Sequence, residues 1–403
     1  MKLLIFNYEY PPVGGGGGVV SSGIAEELAQ RHRVCVVTSA YRDLPHREER
    51  AGVEIVRVPV VARHDLDVAT LRSLLTYPPA AWLGAARLFR RERFDIINSH
   101  FAVPTGPGSL PFAKLAGIPH VLSLHGGDIY DPSKRLSPHR LGLLRATVNA
   151  ALRLSDRVVA QSTNTRDNVY RYYSYRGPID LIPLGIRKPA FEPATREELG
   201  LPTGVFLGVT VGRLVARKAL DVLLRALLLP ECACVHLAVI GAGPESDRLQ
   251  GLARDLGLAD RAHFLGRVSE TRKWQTLGAS DAYVSSTLHE GFGLVYLEAM
   301  AVGLPVVTPD YGGQIDFLRD GESGFLVPPG QPAALAQAIA RLRGQPELVA
   351  RIRQNNLRQA PEHRIERCAE AYEQLFEAAL EARARGNTAS VANPSGGDGR
   401  VKV

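Results

Sequence analysis

The chain has 403 residues, 45% of them hydrophobic and 22% charged, a globular composition long enough for two domains that excludes a disordered, collagenous or coiled-coil protein. No apolar run approaches the ~18 residues of a membrane span, the run Met1–Asn7 is too short for a secretion signal, and Cys35, Cys232, Cys234 and Cys368 lack the spacing of a disulfide framework or zinc site. The net charge of +7 is uneven, since residues 1–188 carry 25 Lys+Arg against 16 Asp+Glu while the remainder has a slight acidic excess.

In chain order, Lys2–Phe6 reads as a strand closed by Pro11-Pro12 and the glycines Gly14–Gly18, and a helical pattern runs from Val19 to Arg31. Short Val/Ile-rich runs follow at Val34–Thr38, Val53–Val58, Ile96–Ser99, Val121–Leu124, Val158–Gln161 and Ile179–Pro183, with helical stretches Ala80–Arg91 and Leu141–Leu154 between them. The second half repeats the pattern. Strands are expected at Val205–Gly212, Val235–Ile240, His263–Leu265, Ala282–Ser285, Pro305–Thr308 and Gly324–Val327. Helices are expected at Ala219–Leu229, Asp247–Leu256, Pro332–Arg343 and Arg364–Ala384. Apolar strands alternating with helices predict parallel sheets covered on both faces. The expected fold class is therefore α/β, with two Rossmann-like doubly wound domains facing across a cleft. The proline-rich stretch Pro183–Pro202 marks the boundary. We expect a first domain over 1–188, a second over 189–363, a helix over 364–385 crossing back to the first, and a disordered tail over 386–403.

Ligands of such sheets sit beyond the carboxyl ends of the strands, and the glycines after the expected strands point to one crevice. Gly14–Gly18 is not a dinucleotide loop, because no acidic residue ends the second strand, and no P-loop spacing occurs. Its backbone N–H groups at a helix N-terminus suit a phosphate or sugar. The richest segment runs from His289-Glu290-Gly-Phe-Gly-Leu to Glu298. Gly291 and Gly293 permit close backbone approach, the N–H groups near Gly293–Val295 open a helix, and two carboxylates can each hold a pair of sugar hydroxyls. Arg213 and Lys218 follow a strand of the second domain, where two fixed cations can neutralise a diphosphate.

The Glu290-x7-Glu298 segment resembles the signature of retaining glycosyltransferases of family 4, with the GT-B fold. Gly212-Arg213-Leu-Val-Ala-Arg-Lys218 resembles that family's phosphate-binding motif, Leu124-His125-Gly-Gly-Asp128 its histidine motif, and Pro11-Pro12-Val-Gly14-Gly15 its glycine loop. The motifs occur in order over about residues 1–380. The resemblance implies a donor site of Gly15, Gly16, Arg213, Lys218, Gly243, Val268, Glu290, Gly291, Phe292, Gly293, Leu294, Val295 and Glu298. In it Glu298 holds the ribose, Glu290 and the amides of Gly291–Leu294 hold the sugar, and His125 meets the sugar near its anomeric carbon. His125, Glu290, Arg213 and Lys218 would be the catalytic set, with Gly17 and Asp128 on the acceptor side. It also implies a nucleoside diphosphate sugar as donor substrate, no further cofactor and no metal. The acceptor would be a glycan, a lipid-linked glycan or a small molecule.

Three features depart from the family: Ala219 stands where glycine is common, Arg187 where aspartate is, and the glycine loop is unusually long, which would widen the acceptor side. Asp65-x-Asp67 reads as helix N-capping rather than a metal site. No module for nucleic acid is present. The stretch Leu71–Arg93, with five arginines and Trp82, fits either an anionic membrane surface or a flap over the acceptor cleft. The expected location is the cytoplasm, with peripheral contact at the inner membrane face left open. Two rival readings are a nucleotide-sugar epimerase of the same fold, which would need acid/base carboxylates in the first domain such as Asp128 or Asp95, and a non-catalytic nucleotide-sugar-binding partner.

Overall fold

The computed structural model describes residues 1–66, 69–134 and 136–391. The first sheet contains β1 (Lys2–Asn7), β2 (Arg33–Ser39), β3 (Arg47–Arg50), β4 (Val53–Val58), β5 (Ile96–His100), β6 (His120–Leu124), β7 (Arg157–Ala160) and β8 (Asp180–Leu181). Their order is β3-β4-β2-β1-β5-β6-β7-β8, parallel throughout except for β3, which runs antiparallel to β4. Its helices are α1 (Gly16–Ala29), α2 (Leu71–Phe89), α3 (Thr105–Ala116), α4 (Gly142–Leu154) and α5 (Thr163–Tyr172).

The second sheet contains β9 (Phe206–Val211), β10 (Val235–Ile240), β11 (Ala262–Gly266), β12 (Ala282–Val284), β13 (Val306–Pro309) and β14 (Gly324–Val327), in the order β11-β10-β9-β12-β13-β14. Around it lie α6 (Leu220–Ala226), α7 (Ser246–Asp255), α8 (Glu270–Ala279), α9 (Leu294–Ala301), α10 (Pro332–Gly344) and α11 (Pro346–Gln359), followed by α12 (Ile365–Val391). The strand order reverses between β1 and β5 in one sheet and between β9 and β12 in the other. Those are the two switch points where crevices open in doubly wound sheets.

The apolar runs became strands buried on both faces, with Leu3, Leu4, Ile5 and Phe6 wholly enclosed. Several elements differ from expectation. Helix α1 begins at Gly16, so three of the five glycines are helix rather than loop. The extra length that would have widened the acceptor side is absent. Helix α2 begins at Leu71, where Thr70 and Ser73 form a capping box, and continues through Pro78 and Pro79. Prolines normally break a helix. Here packing overrides them: a Cβ placed on Gly108 of α3 would lie 3.2 Å from the Pro78 carbonyl oxygen, so the two backbones are nearly in contact. The cap is thus Thr70, while Asp67 lies outside the described residues.

Strand β3 and helices α3, α5, α8 and α11 were not anticipated. Thr105–Ala116 holds Gly106, Pro107 and Gly108 in its first turn, and Arg47–Arg50 has no apolar residue. Helix α12 continues to Val391, past the expected limit at 385, and residues 392–403 of the expected tail lie outside the described residues. Helix α12 returns to the first sheet, where the Tyr372 hydroxyl donates to Ser123 Oγ at 3.1 Å and Glu373 meets Arg31 and His32 at 2.5 and 2.6 Å. The linker runs beside its start, Ile186 bridging to Arg364. Arg187 pairs with Glu26 and Glu27 of α1 at 2.8 and 2.5 Å, which accounts for a cation at that position.

Candidate active site

Four connections of the first sheet converge at its switch point. After β1, the Gly15 N–H donates to Glu9 Oε2 at 3.0 Å, and Gly16 and Gly17 form the first turn of α1. Gly17 faces the Phe101 ring. After β6, His125 emerges with its Nε2 2.9 Å from Nδ1 of His100, the last residue of β5. Burial drives both imidazoles down, His125 to about 4, so both are neutral at pH 7 and one donates to the other. Asp128 does not face an acceptor. Its carboxylate accepts the N–H of Ala102 at 2.6 Å and of His125 at 2.9 Å, which engages both oxygens in holding the loop. Burial lifts its carboxyl to about 6 against those two bonds. It is a positioning residue for His125.

The second sheet supplies the charges. The loop after β9 carries Arg213, Arg217 and Lys218, all partly buried. Lys218 Nζ lies 2.5 Å from Glu290 Oε2, and an Arg217 guanidinium nitrogen lies 3.5 Å from Glu290 Oε1. Burial alone would raise the Glu290 carboxyl; the two cations outweigh it and hold it at about 2. Burial and the neighbouring guanidinium groups pull the Lys218 ammonium down while Glu290 opposes them. A carboxyl held so low beside an ammonium is an ion pair at pH 7. Ala219 takes up a left-handed conformation with φ 44°, the geometry that glycine occupies freely, so alanine here carries backbone strain. The loop keeps its glycine-like path despite the methyl group.

Helix α9 starts at Gly293, whose φ of 98° turns the chain sharply out of the preceding loop. The turn leaves the N–H groups of Leu294 and Val295 at the helix start, facing the crevice. One turn further, Glu298 Oε1 accepts from Lys273 Nζ at 2.7 Å, and Lys273 also meets Glu270 at 2.9 Å. Glu298 Oε2 is buried without a hydrogen-bond partner among the described residues. Burial raises this carboxyl and Lys273 opposes the rise.

The two sides touch. A Cβ on Gly126 would lie 2.8 Å from Cα of Gly291, and one on Gly291 would lie 2.9 Å from the His125 carbonyl oxygen. Only glycine fits at either position. The Ser162 hydroxyl donates to the Gly291 carbonyl at 2.7 Å, and Thr163 N–H donates to Asp316 at 2.7 Å. A Cβ on Gly16 would lie 3.4 Å from Leu294 Cδ1. Gly15–Gly17, His125, Lys218, Arg217, Glu290, Gly291 and the start of α9 therefore line one crevice.

Other expected residues lie around this crevice rather than on it, Gly243 against the loop that carries Arg213. The Phe292 side chain is buried against Phe317, ring centres 5.0 Å apart, so its ring packs in the core and leaves only its backbone to the crevice. Gly243 and Val268 follow β10 and β11, toward the far edge of the second sheet. Gly243 backs onto the Leu214 carbonyl, and Val268 packs against the core. Arg217 and Lys273 were missed. Arg217 sits inside the recognised motif but reads as a turn residue, and Lys273 lies on α8, whose weak apolar pattern hid the helix. The Ser269 cap, accepting from Arg272 N–H at 3.2 Å, was the available signal.

Residues 14–188 match the family described as Glycosyltransferase Family 4, and residues 191–359 match Glycosyl transferases group 1. The chain is 32% identical over 366 residues to the D-inositol 3-phosphate glycosyltransferase of Acidothermus cellulolyticus, covering 83% of this chain and 80% of that one. Its fold is similar to sucrose-phosphate synthase from Thermosynechococcus elongatus, with TM-score 0.83, 23% identity, and coverage of 95% and 100% of the two chains. It is also similar to Anabaena HepE in complex with UDP-glucose, with TM-score 0.72, 21% identity, and coverage of 94% and 100%.

Proposed function

The chain belongs to glycosyltransferase family 4, with the GT-B fold, and on that premise we propose that it is a retaining hexosyltransferase using a UDP- or GDP-linked sugar. The observation that supports this most is the meeting of His125 and Gly126 with Gly291 beside a buried cluster of Lys218, Arg217 and Glu290. In the proposed reaction the bond from the anomeric carbon to the diphosphate breaks, and a bond to an acceptor hydroxyl oxygen forms on the same face. The hydroxyl proton passes to the leaving phosphate. Arg213, Arg217 and Lys218 take up the developing charge in place of a metal ion. Glu290 holds Lys218 in place and keeps lone pairs for sugar hydroxyls. Neutral His125, oriented by His100 and the Asp128-pinned loop, meets the sugar near the reacting carbon. The open oxygen of Glu298 suits a ribose hydroxyl.

The basic first domain favours an anionic acceptor, which agrees with the phosphorylated inositol in the relative's name. The epimerase reading loses its carboxylates: Asp128 is tied to two amides, and Asp95 accepts the Lys2 N–H at 2.7 Å, at the amino end of β5 away from the crevice.

The test is thermal stability with UDP-, GDP- and ADP-sugars in the presence of EDTA. One donor at 100 times its dissociation constant should add about 2.7 kcal/mol, and transfer to an acceptor should proceed with the anomeric configuration kept. If no donor shifts the melting temperature, or if chelation abolishes transfer and Mg²⁺ restores it, the reading fails. The ribose assignment is checked separately. Lys273→Ala should weaken nucleoside diphosphate binding about tenfold, because losing a charge-assisted bond worth about 1.5–3 kcal/mol leaves Glu298 unsupported. Unchanged affinity in a calorimetric titration would take Glu298 out of the donor site.

A further inference from the structure

A groove of about 460 Å³ lies on the outer face of the first domain, between α2 and the β3–β4 edge of the sheet. Val56, Val58 and Leu88 form its floor, and Leu83, Arg87 and Arg91 its rim. That volume is in the range of sites that enclose a small molecule, roughly 300–1,000 Å³. The groove is separate from the crevice, which is built on the carboxyl ends of the strands at the switch points.

Many arginines of the molecule are paired with carboxylates. Arg31, Arg33, Arg157, Arg187 and Arg196 each meet a carboxylate within 4 Å. Two arginines in the groove wall, Arg47 and Arg57, are likewise spent on Glu54 and Glu48. Among the described residues no ion pair or side-chain hydrogen bond is formed by Arg72, Arg87, Arg90, Arg91 or Arg93, all of α2 or the turn that follows it. Beside them α2 exposes large apolar side chains: Leu71 at 56%, Leu75 at 64%, Trp82 at 38% and Leu83 at 54%. Leu71, Leu75 and Trp82 fall within about 40° of one another around a helix of 3.6 residues per turn. An apolar stripe bordered on its outer side by uncompensated cations is the surface that an anionic lipid interface complements.

We propose that this face docks on an anionic membrane, with the α2 stripe in the headgroup boundary, Arg87 and Arg91 on lipid phosphates, and one acyl chain in the groove. Helix α2 begins in the same loop whose Leu66 carbonyl accepts the Gly14 N–H at 2.8 Å. Docking there sets the mouth of the crevice beside the bilayer, where a membrane-borne acceptor would enter. The docking step depends on no feature of the donor site, so it can fail while the transferase reading stands, and the reverse.

The test is sedimentation of the full chain with vesicles of phosphatidylglycerol and phosphatidylcholine, together with tryptophan emission. Of the two tryptophans only Trp82 is accessible, Trp274 being buried, so a blue shift reports entry of α2 into the interface. Binding should require phosphatidylglycerol, weaken with salt, and bring a blue shift. Arg87→Gln with Arg91→Gln should lower partitioning about 30-fold, at about 1 kcal/mol per arginine. Leu83→Gln, an exposed change that leaves the charge intact, should also reduce partitioning. Equal binding to neutral and anionic vesicles would overturn the proposal. So would unaltered partitioning of the double-arginine variant, or retention on duplex DNA as strong as on vesicles with no blue shift.

Discussion

Lys218→Ala is expected to be inactive and less stable at once. Turnover should fall about 10²–10³-fold, the loss seen when one fixed donor to a developing anion is removed. Stability should fall by about 3 kcal/mol, because Glu290 is left buried with only the 3.5 Å contact to Arg217. The pairing of Lys218 with Glu290 at 2.5 Å makes both effects parts of one cause. They separate in a second variant. Lys218→Met combined with Glu290→Gln removes both charges and should regain most of the stability in urea melts while staying inactive. Wild-type turnover in Lys218→Ala would remove the residue from the phosphate site. A single variant as stable as the parent would mean the pair is not buried as described.

Acid should begin to destabilise the protein as soon as the pH falls below about 6.5, before ordinary carboxylates titrate. His100, His120 and His125 are each held below the 6.5 of an exposed imidazole by burial, His120 to about 3 and His125 to about 4. His120 is enclosed by Ser99, Ser109 and Ser155, and none of the three histidines can gain a proton without losing its place in the core of the first sheet. For a histidine depressed in the folded state, the stability of the neutral form is complete above about 6.5. It drains as pH falls toward the folded value. Each group removes up to about 1.4 kcal/mol per pH unit, and Asp128, held at about 6, takes up its proton in the folded state and offsets one of them, leaving a net loss of about 3 kcal/mol per unit below pH 6. Against a typical total of 5–15 kcal/mol, unfolding is expected between about pH 5 and 4. Glu290 acts in the same direction but later, its contribution lasting until pH nears 2. Urea midpoints measured from pH 7.5 to 4.5 check this: a flat profile over that range would show that the three imidazoles are hydrated.

The parts of the site that could be read from the sequence are those whose chemistry depends on neighbours along the chain. Gly291, Gly293, Glu290 and Glu298 lie within nine residues, on one loop and the helix it opens, so their common direction follows from local geometry. The same holds for Arg213 and Lys218 after β9. Asp128 was misread because its partners are amides: a carboxylate near a histidine suggests chemistry, and only the folded loop shows both oxygens committed to Ala102 and His125. The direction of the Phe292 ring was not legible either, since an apolar residue between two site glycines points either outward or, as here, into Phe317.

Val/Ile-rich runs and glycine turns sufficed to determine two parallel α/β sheets and the strand ends that carry the crevice, because burial on both faces leaves a pattern in each strand separately. Which helices form where propensity is poor was decided by tertiary packing, as at Pro78 and Pro79 against Gly108. Tertiary structure alone also decided that His100 backs His125, that Lys273 supports Glu298, and that the arginines of α2 are left unpaired. Each of these depends on side chains from separate elements meeting at hydrogen-bond range or failing to meet. A linear pattern carries no information about such distances until the sheets have been twisted, closed and crossed by α12.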